Sequence, residues 1–218
     1  MSTSRTSILL DLDGTLSDSR PGIAACFRYT LRELGHDPEK AGDLTWAVGP
    51  PIAVSIRQLL QPYGDDRLDL GLTVYRARYS EVGIYDCSVY PGVVGMLDAL
   101  RNAGLTMFVA TSKRRDFADR VIDHLGLRPY MRGVYGALPG GGLDHKHDLL
   151  EHILTNERID AGSTTMLGDR MHDIHAAREN AISSVGALWG YGDRAELEAA
   201  GADALAAEPA DVVALATR

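Results

Sequence analysis

Two aspartates, Asp11 and Asp13, directly follow the short apolar run of residues 8–10. The run is typical of a buried strand that ends in a turn, since Gly14 and Thr15 come soon after it. Carboxylates in such a place can act as a nucleophile, as a general acid and base, or as ligands of a divalent cation. Considered alone, however, two aspartates after a strand more often form a turn or a helix cap.

Further segments carry polar side chains just after an apolar run or just before a helical pattern. Because ligands of open α/β sheets bind outside the carboxyl ends of the strands, we expect these side chains to meet the two aspartates at one edge of a sheet. Thr111 and Asp173 could instead serve only as helix caps. The side chains concerned are those of Thr111, Ser112, Lys113, Lys146, Asp169 and Asp173.

Crowded carboxylates raise each other's pKa, and a divalent cation removes this repulsion. Mg²⁺ prefers oxygen ligands in octahedral geometry, so Asp11 and Asp169 can supply carboxylate oxygens and Asp13 its backbone carbonyl oxygen. The cation, Lys146 and the Thr111 hydroxyl would then neutralise the oxygens of a phosphoryl group. The sequence therefore predicts a magnesium cofactor.

The sequence around these residues shows two different patterns of apolar residues, which predict the elements that position them. Residues 16–85 are mostly helical in pattern, whereas apolar runs alternate with helical patterns from residue 91 onwards, which predicts a Rossmann-like α/β parallel sheet covered on both faces. We expect an α/β core of residues 1–15 and 86–218, interrupted by a helical cap domain of residues 16–85. Strands are expected at 8–10, 105–110, 133–138, 164–167, 184–188 and 202–206, and helices at 21–34, 52–60, 68–82, 93–101, 114–125, 147–156, 172–180 and 212–216.

Composition and charge limit the possible partners. The chain has 218 residues with a formal net charge of −8, which argues against a nucleic acid polymer as partner. No stretch approaches the length of a membrane span, and we expect no membrane partner. The two cysteines, Cys26 and Cys87, cannot form a disulfide framework, so a reducing cytoplasm is the simplest location. We expect a monomer or a homodimer.

The sequence resembles the haloacid dehalogenase (HAD) superfamily of phosphatases in four motifs. Residues 11–19, which read DLDGTLSDS, resemble the first motif, and Thr111 resembles the second. Lys146 resembles the third motif, and residues 168–173 resemble the fourth. All four occur in the order that the family shows, and they extend over nearly the whole chain.

The resemblance implies a mechanism and a set of roles. Asp11 would attack phosphorus and form an aspartyl-phosphate, and Asp13 would act as general acid and then as general base. Asp169 would complete the metal site, Lys146 would hold the nucleophile and the phosphoryl group, and Asp173 would orient Lys146 or a metal-bound water. Further expected substrate contacts are Gly14, Thr15, Ser112, Lys113 and, in the cap, Arg57.

Within the superfamily, the insert resembles the helical cap of the phosphoglycolate-phosphatase-like branch. Residues 110–113, 48–51 and 186–192 look most like members described as 5′-nucleotidases. The expected substrate is therefore a small phosphorylated metabolite, either a nucleoside monophosphate or phosphoglycolate. Two features depart from the pattern: Arg114 and Arg115 stand where relatives often have proline, and three glycines at 140–142 replace a more polar loop. The arginines either bind an anion or point into water.

Other functions share part of this pattern. A sugar phosphomutase has the same four motifs, and only the cap distinguishes it from a hydrolase. A phospho-accepting signalling module also combines acidic residues, a hydroxyl and a lysine around Mg²⁺, but it lacks an equivalent of Asp13 and a helical insert. Dehalogenases of the superfamily use no metal, which Asp13 and Asp169 argue against, and a catalytically inactive binding protein is disfavoured because all four motifs are complete.

Overall fold

The computed structural model describes residues 5–139 and 141–217. The strands are β1 (Ser7–Leu10), β2 (Ser17–Asp18), β3 (Ser88–Val89), β4 (Thr106–Arg114), β5 (Gly133–Ala137), β6 (Thr164–Gly168), β7 (Ser183–Ala187) and β8 (Ala204–Ala206). The α-helices are α1 (Arg20–Glu33), α2 (Ile52–Leu60), α3 (Leu68–Glu81), α4 (Val93–Asn102), α5 (Arg115–His124), α6 (Lys146–Glu157), α7 (Met171–Glu179), α8 (Arg194–Ala200) and α9 (Val212–Ala216). Short 3₁₀ turns connect several of them.

Six of the strands form one sheet in the order β5-β4-β1-β6-β7-β8, and all the pairings within it are parallel. The chain runs outward from β1 through β4 to β5, then returns to β6 on the other side of β1. The order therefore reverses beside β1, and such a switch point is where open α/β sheets bind ligands. The Rossmann-like parallel sheet expected from the sequence is confirmed.

The central strands are buried because helices cover the sheet. All four residues of β1 and all five of β6 are buried. Leu9, Phe108 and Met166, which lie on three neighbouring strands, pack with residues of α6 and α7 in one apolar cluster. Burial of this kind explains why these strands are continuous apolar runs rather than alternating ones.

Several elements differ from the sequence-based expectation. Strand β4 continues through Thr111 to Arg114, so Ser112 and Lys113 lie on the strand rather than after it. Its ladder with β5 is irregular between Thr111 and Arg114. Helix α6 begins at Lys146 itself, and α8 was not predicted because its seven residues show too short a pattern.

The chain divides into two compact units. One comprises Met1–Asp18 and Val89–Arg218, and the other comprises Ser19–Ser88. Each boundary between the two units lies three residues further along the chain than the boundary expected from the sequence. The second unit contains α1, α2 and α3, and its interior includes the stacked rings of Tyr75 and Tyr79. In the ranges 5–139 and 141–217, no helix has the length and apolar character needed to cross a membrane.

Candidate active site

Asp11, Lys146 and Asp173 form a buried cluster where three elements end or begin. The Nζ atom of Lys146 lies 2.7 Å from Asp11 Oδ1 and 2.7 Å from Asp173 Oδ1. Asp11 follows β1, Lys146 opens α6, and Asp173 lies in the first turn of α7. A buried ammonium held between two carboxylates keeps its charge, and it fixes the rotamer of each carboxylate that it contacts.

Asp169 follows β6 and is fully buried. Its Oδ1 accepts a hydrogen bond from the Thr15 hydroxyl at 3.1 Å, and its Oδ2 accepts one from the backbone N–H of Tyr191 at 2.8 Å. Among the described residues, Asp11, Asp169 and Asp173 form a group in which one carboxylate oxygen from each residue lies within 4.8 Å of those of the other two.

This donor set fits a divalent cation. The three carboxylates carry three negative charges when ionised, and Lys146 compensates only one of them, so two negative charges remain in a buried space. Hard oxygen ligands of this kind are those that Mg²⁺ prefers. The carboxylate of Asp13 does not belong to this group.

The side chain of Asp13 is instead paired with Lys113. The distance between Lys113 Nζ and Asp13 Oδ2 is 2.8 Å, and both side chains are largely buried. The backbone N–H of Lys113 donates to Thr111 Oγ1 at 3.2 Å. The continuation of β4 beyond Thr111 thus brings Lys113 next to Asp13, an ion pair that the sequence alone did not predict.

Three further residues were expected to contact the substrate, and the structure places each of them differently. Gly14 has a φ of +91° and lies against Asp169, where a Cβ atom would overlap the carboxylate. Ser112 is half-buried on β4. Arg57 lies in the second unit, exposed on α2.

The two arginines that depart from the family pattern have partners of their own. Arg114 makes a bidentate ion pair with Asp116 and lies over the ring of Phe117. Arg115 lies near Asp119 and over the ring of Tyr135. These contacts are made within the end of β4, α5 and β5, so they account for both arginines without a bound anion. Of the glycines at 140–142, Gly140 lies outside the described residues.

The electrostatics of the cluster follow from its burial. Burial raises the pKa of Asp11 to about 7, an effect that Lys146 opposes and Asp173 reinforces. Burial, together with Asp11 and Asp173, raises the pKa of Asp169 well above its ordinary value. For Lys146, burial lowers the pKa, but Asp11 and Asp173 outweigh it and the net pKa is raised. The carboxylates are therefore crowded, and a cation relieves the repulsion.

This crowding predicts a pH dependence of stability. The folded-state pKa of Asp11 is raised. The stability that Asp11 contributes to the folded state is therefore fully present below pH 3.8 and is lost as the pH rises through about 7. With magnesium chelated, Asp11→Asn should therefore gain stability relative to the original protein by about 2 kcal/mol between roughly pH 5 and pH 8. Urea unfolding at several pH values measures this difference.

The difference between the two proteins is the informative quantity, because His172, whose pKa is lowered chiefly by burial, acts in the opposite direction in both. Asp148→Asn, which changes an exposed carboxylate on α6, is the matched control and should show no such gain. A stability difference between Asp11→Asn and the original protein that does not change with pH would contradict the prediction.

The structure also shows site residues that were not singled out by the sequence reasoning. Residues 189–192, after β7, lie against Asp169 and the turn after β1. From the sequence alone they stand out only as part of the resemblance over residues 186–192. The alternation of aromatic residues and glycines there was the available signal, since glycine allows a close approach of backbone to side chain.

Comparison with known proteins agrees with this geometry. Residues 8–187 match the family model described as haloacid dehalogenase-like hydrolase. A "5′-nucleotidase" of Pseudomonas aeruginosa is 36% identical over 194 residues, which are 88% of this chain and 86% of that protein. A "phosphoglycolate phosphatase" of Agrobacterium fabrum is 32% identical over 196 residues, covering 85% of this chain and 81% of that protein.

Two further relatives add to these. "Tyrosine-protein kinase PtkA" of Mycobacterium tuberculosis is 37% identical over 186 residues, which are 85% of this chain but only 62% of that longer protein. The crystal structure of a "predicted phosphatase" from Clostridium acetobutylicum superimposes with a TM-score of 0.89 at 28% identity, covering 98% of each chain. The superposition thus extends over nearly the whole chain.

Proposed function

The chain belongs to the haloacid dehalogenase-like hydrolase family, and we propose from this that it is a phosphatase, a Mg²⁺-dependent hydrolase of phosphoric monoesters that works through an aspartyl-phosphate on Asp11. The chief support is the buried cluster in which Lys146 holds Asp11 beside Asp169 and Asp173. A carboxylate that only capped a turn would have no need of this surrounding set of charges.

In the first half of the proposed reaction, a carboxylate oxygen of Asp11 attacks phosphorus. The bond between phosphorus and the ester oxygen breaks as the new bond to Asp11 forms, and Asp13 gives a proton to the leaving oxygen. Lys113 holds Oδ2 of Asp13, so we assign Oδ1 as the oxygen that carries the proton.

In the second half, water attacks the phosphorus of the aspartyl-phosphate. Asp13, now ionised, accepts a proton from this water. The bond between Asp11 and phosphorus breaks, inorganic phosphate leaves, and the carboxylate of Asp11 is regenerated.

The other members of the cluster bind and orient. Lys146 keeps the attacking group in place and offers its positive charge to the phosphoryl oxygens. The backbone N–H of Lys113 already donates to Thr111 Oγ1, so we assign the hydroxyl hydrogen of Thr111 to a phosphoryl oxygen. A bound Mg²⁺ would be held by Asp11, Asp169 and the carbonyl oxygen of Asp13, near Asp173, and would neutralise phosphoryl charge.

For the substrate we propose a nucleoside 5′-monophosphate, with phosphoglycolate as the next choice. The identity to the Pseudomonas 5′-nucleotidase over 88% of this chain supports the first. We assign the cap role to the second unit, and we retain Arg57 on α2 as a contact for the part of the substrate beyond the phosphate. Cys26 and Cys87 are present as thiols, which supports a cytoplasmic location.

A panel of phosphate esters tests this function. We expect Mg²⁺-dependent phosphate release, and a kcat/KM for the best nucleoside 5′-monophosphate that exceeds that for phosphoglycolate, sugar phosphates and an aryl phosphate by about tenfold, which corresponds to about 1.4 kcal/mol of extra binding in the transition state. A chelator should abolish release. Absence of release from every ester would exclude the phosphatase function, and conversion of one sugar phosphate isomer into another would instead show a mutase.

A second function, phosphoryl transfer to a protein tyrosine, is raised by the 37% identity to the mycobacterial kinase. That protein is longer, and this chain covers 62% of it. In such a reaction a tyrosine hydroxyl would replace water as the acceptor from Asp11. Phosphotyrosine on a protein substrate, formed in preference to inorganic phosphate, would favour this function over hydrolysis.

A further inference from the structure

The segment of residues 189–192 encloses Asp169 without providing a catalytic group of its own. Asp169 is fully buried, and its two carboxylate oxygens each accept a hydrogen bond from a different part of the core. Oδ2 is held by the backbone of this segment at Tyr191, and Oδ1 is held by Thr15 in the turn after β1.

The same segment also holds Thr15. The indole N–H of Trp189 donates to the carbonyl oxygen of Thr15 at 2.9 Å. Through Thr15, this contact supports the hydrogen bond to Asp169 Oδ1. The hydroxyl of Tyr191 donates to Asp18 at 3.0 Å, which fastens the segment at a second point of the same core unit.

Glycines make the enclosure close. A Cβ atom at Gly190 would overlap both the side chain of Asp169 and the carbonyl oxygen of Gly14. A Cβ atom at Gly192 would overlap the carbonyl oxygen of Asp169. Contacts this close are possible only where a residue has no side chain. Gly190 and Gly192 therefore allow the backbone of the segment to contact Asp169 on one side, and Gly14 contacts Asp169 on another.

We infer that residues 189–192 are a positioning segment that sets the orientation of the Asp169 carboxylate for a divalent cation. This inference rests on the magnesium site of the proposed function. Each carboxylate oxygen has two lone pairs, so the single hydrogen bond that each accepts fixes the group and leaves a lone pair for the metal. Groups that orient a metal ligand in this way set the affinity for the metal, and their loss weakens binding by about 10–100-fold.

Magnesium titration calorimetry on three variants tests this role. Gly190→Ala should displace Asp169 and raise the Kd for Mg²⁺ by about 100-fold, and Trp189→Phe, which removes the bond to Thr15 and keeps an aromatic ring, should raise it by about tenfold. Gly95→Ala is the matched control, because a Cβ atom on this exposed helical glycine meets nothing within 4 Å. Its Kd should stay within about twofold of the original value.

Activity at saturating Mg²⁺ separates positioning from a general loss of structure. For Gly190→Ala and Trp189→Phe, kcat should recover to within a few-fold of the original value once the metal site is filled. Thermal melting in the presence of a chelator reports whether each variant folds. If Gly190→Ala does not fold, Trp189→Phe decides. An unchanged Kd in the folded variants overturns the inference, whereas absence of Mg²⁺ binding to the original protein overturns the magnesium site itself.

Discussion

Asp11→Asn should lower kcat for phosphate-ester hydrolysis by about 10⁴-fold or more, because an amide oxygen is a very poor nucleophile toward phosphorus. The fold should survive the change. Asparagine keeps a side-chain oxygen that can accept from Lys146, and the substitution removes a charge whose burial raises the pKa of Asp11 to about 7. Steady-state kinetics with the preferred ester, together with thermal melting, measure both expectations.

Two controls make the Asp11 result specific. Asp148→Asn changes an exposed carboxylate on α6 and should retain full activity. Because asparagine can deamidate back to aspartate, mass spectrometry of the purified variant must accompany the kinetics. Acid quenching of the original protein during turnover should trap phosphate on Asp11. A folded, undeamidated variant with substantial activity would remove Asp11 from the role of nucleophile.

Asp169→Asn should abolish the response to Mg²⁺. At a Mg²⁺ concentration about 100 times its Kd, binding stabilises the folded state by about 2.7 kcal/mol, which raises the melting temperature by about 5–10 °C for a chain of this size. The variant lacks one of the three clustered carboxylates. We therefore expect no such rise and a loss of about 10³-fold in kcat/KM.

The same variant should be at least as stable as the original protein when magnesium is chelated. The pKa of Asp169 is raised well above its ordinary value, chiefly by burial, so the ionised group destabilises the fold near neutral pH. The side-chain oxygen of asparagine can still accept the hydrogen bond from the backbone N–H of Tyr191, and its NH2 group can donate to the hydroxyl oxygen of Thr15. A variant that is less stable under chelation yet still stabilised by Mg²⁺ would show that Asp169 has a structural role and does not bind the metal.

The loss of the Mg²⁺ response and the retained or increased stability without Mg²⁺, both expected for Asp169→Asn, have one cause. The cluster gathers carboxylates in a place where water cannot solvate them, and such an arrangement costs stability unless a cation is bound. Lys146 compensates part of this charge through its contacts with Asp11 and Asp173. The same arrangement lets a phosphoryl group, which also carries negative charge, bind only when positive charge is supplied with it.

Much of the architecture could be predicted from the sequence because it depends on local patterns. Short runs of three to six residues predicted the strands, and the rule that ligands bind at the carboxyl ends of parallel strands predicted which segments should meet. Asp11, Lys146 and the pair Asp169 and Asp173 come from three distant segments of the sequence, yet the structure brings them into contact or to within a few ångströms. The family resemblance over four ordered motifs supplied the roles that spacing alone left open.

Only the tertiary structure decided the finer arrangement. No local pattern says that β4 continues past Thr111, and this continuation is what pairs Lys113 with Asp13. Likewise, Gly190 contacts Asp169 and Gly14 across long stretches of sequence, and its importance comes from the absence of a Cβ atom where three segments meet. Sequence periodicity records which face of an element is buried, whereas contacts of this kind depend on how separate elements pack, which periodicity does not encode.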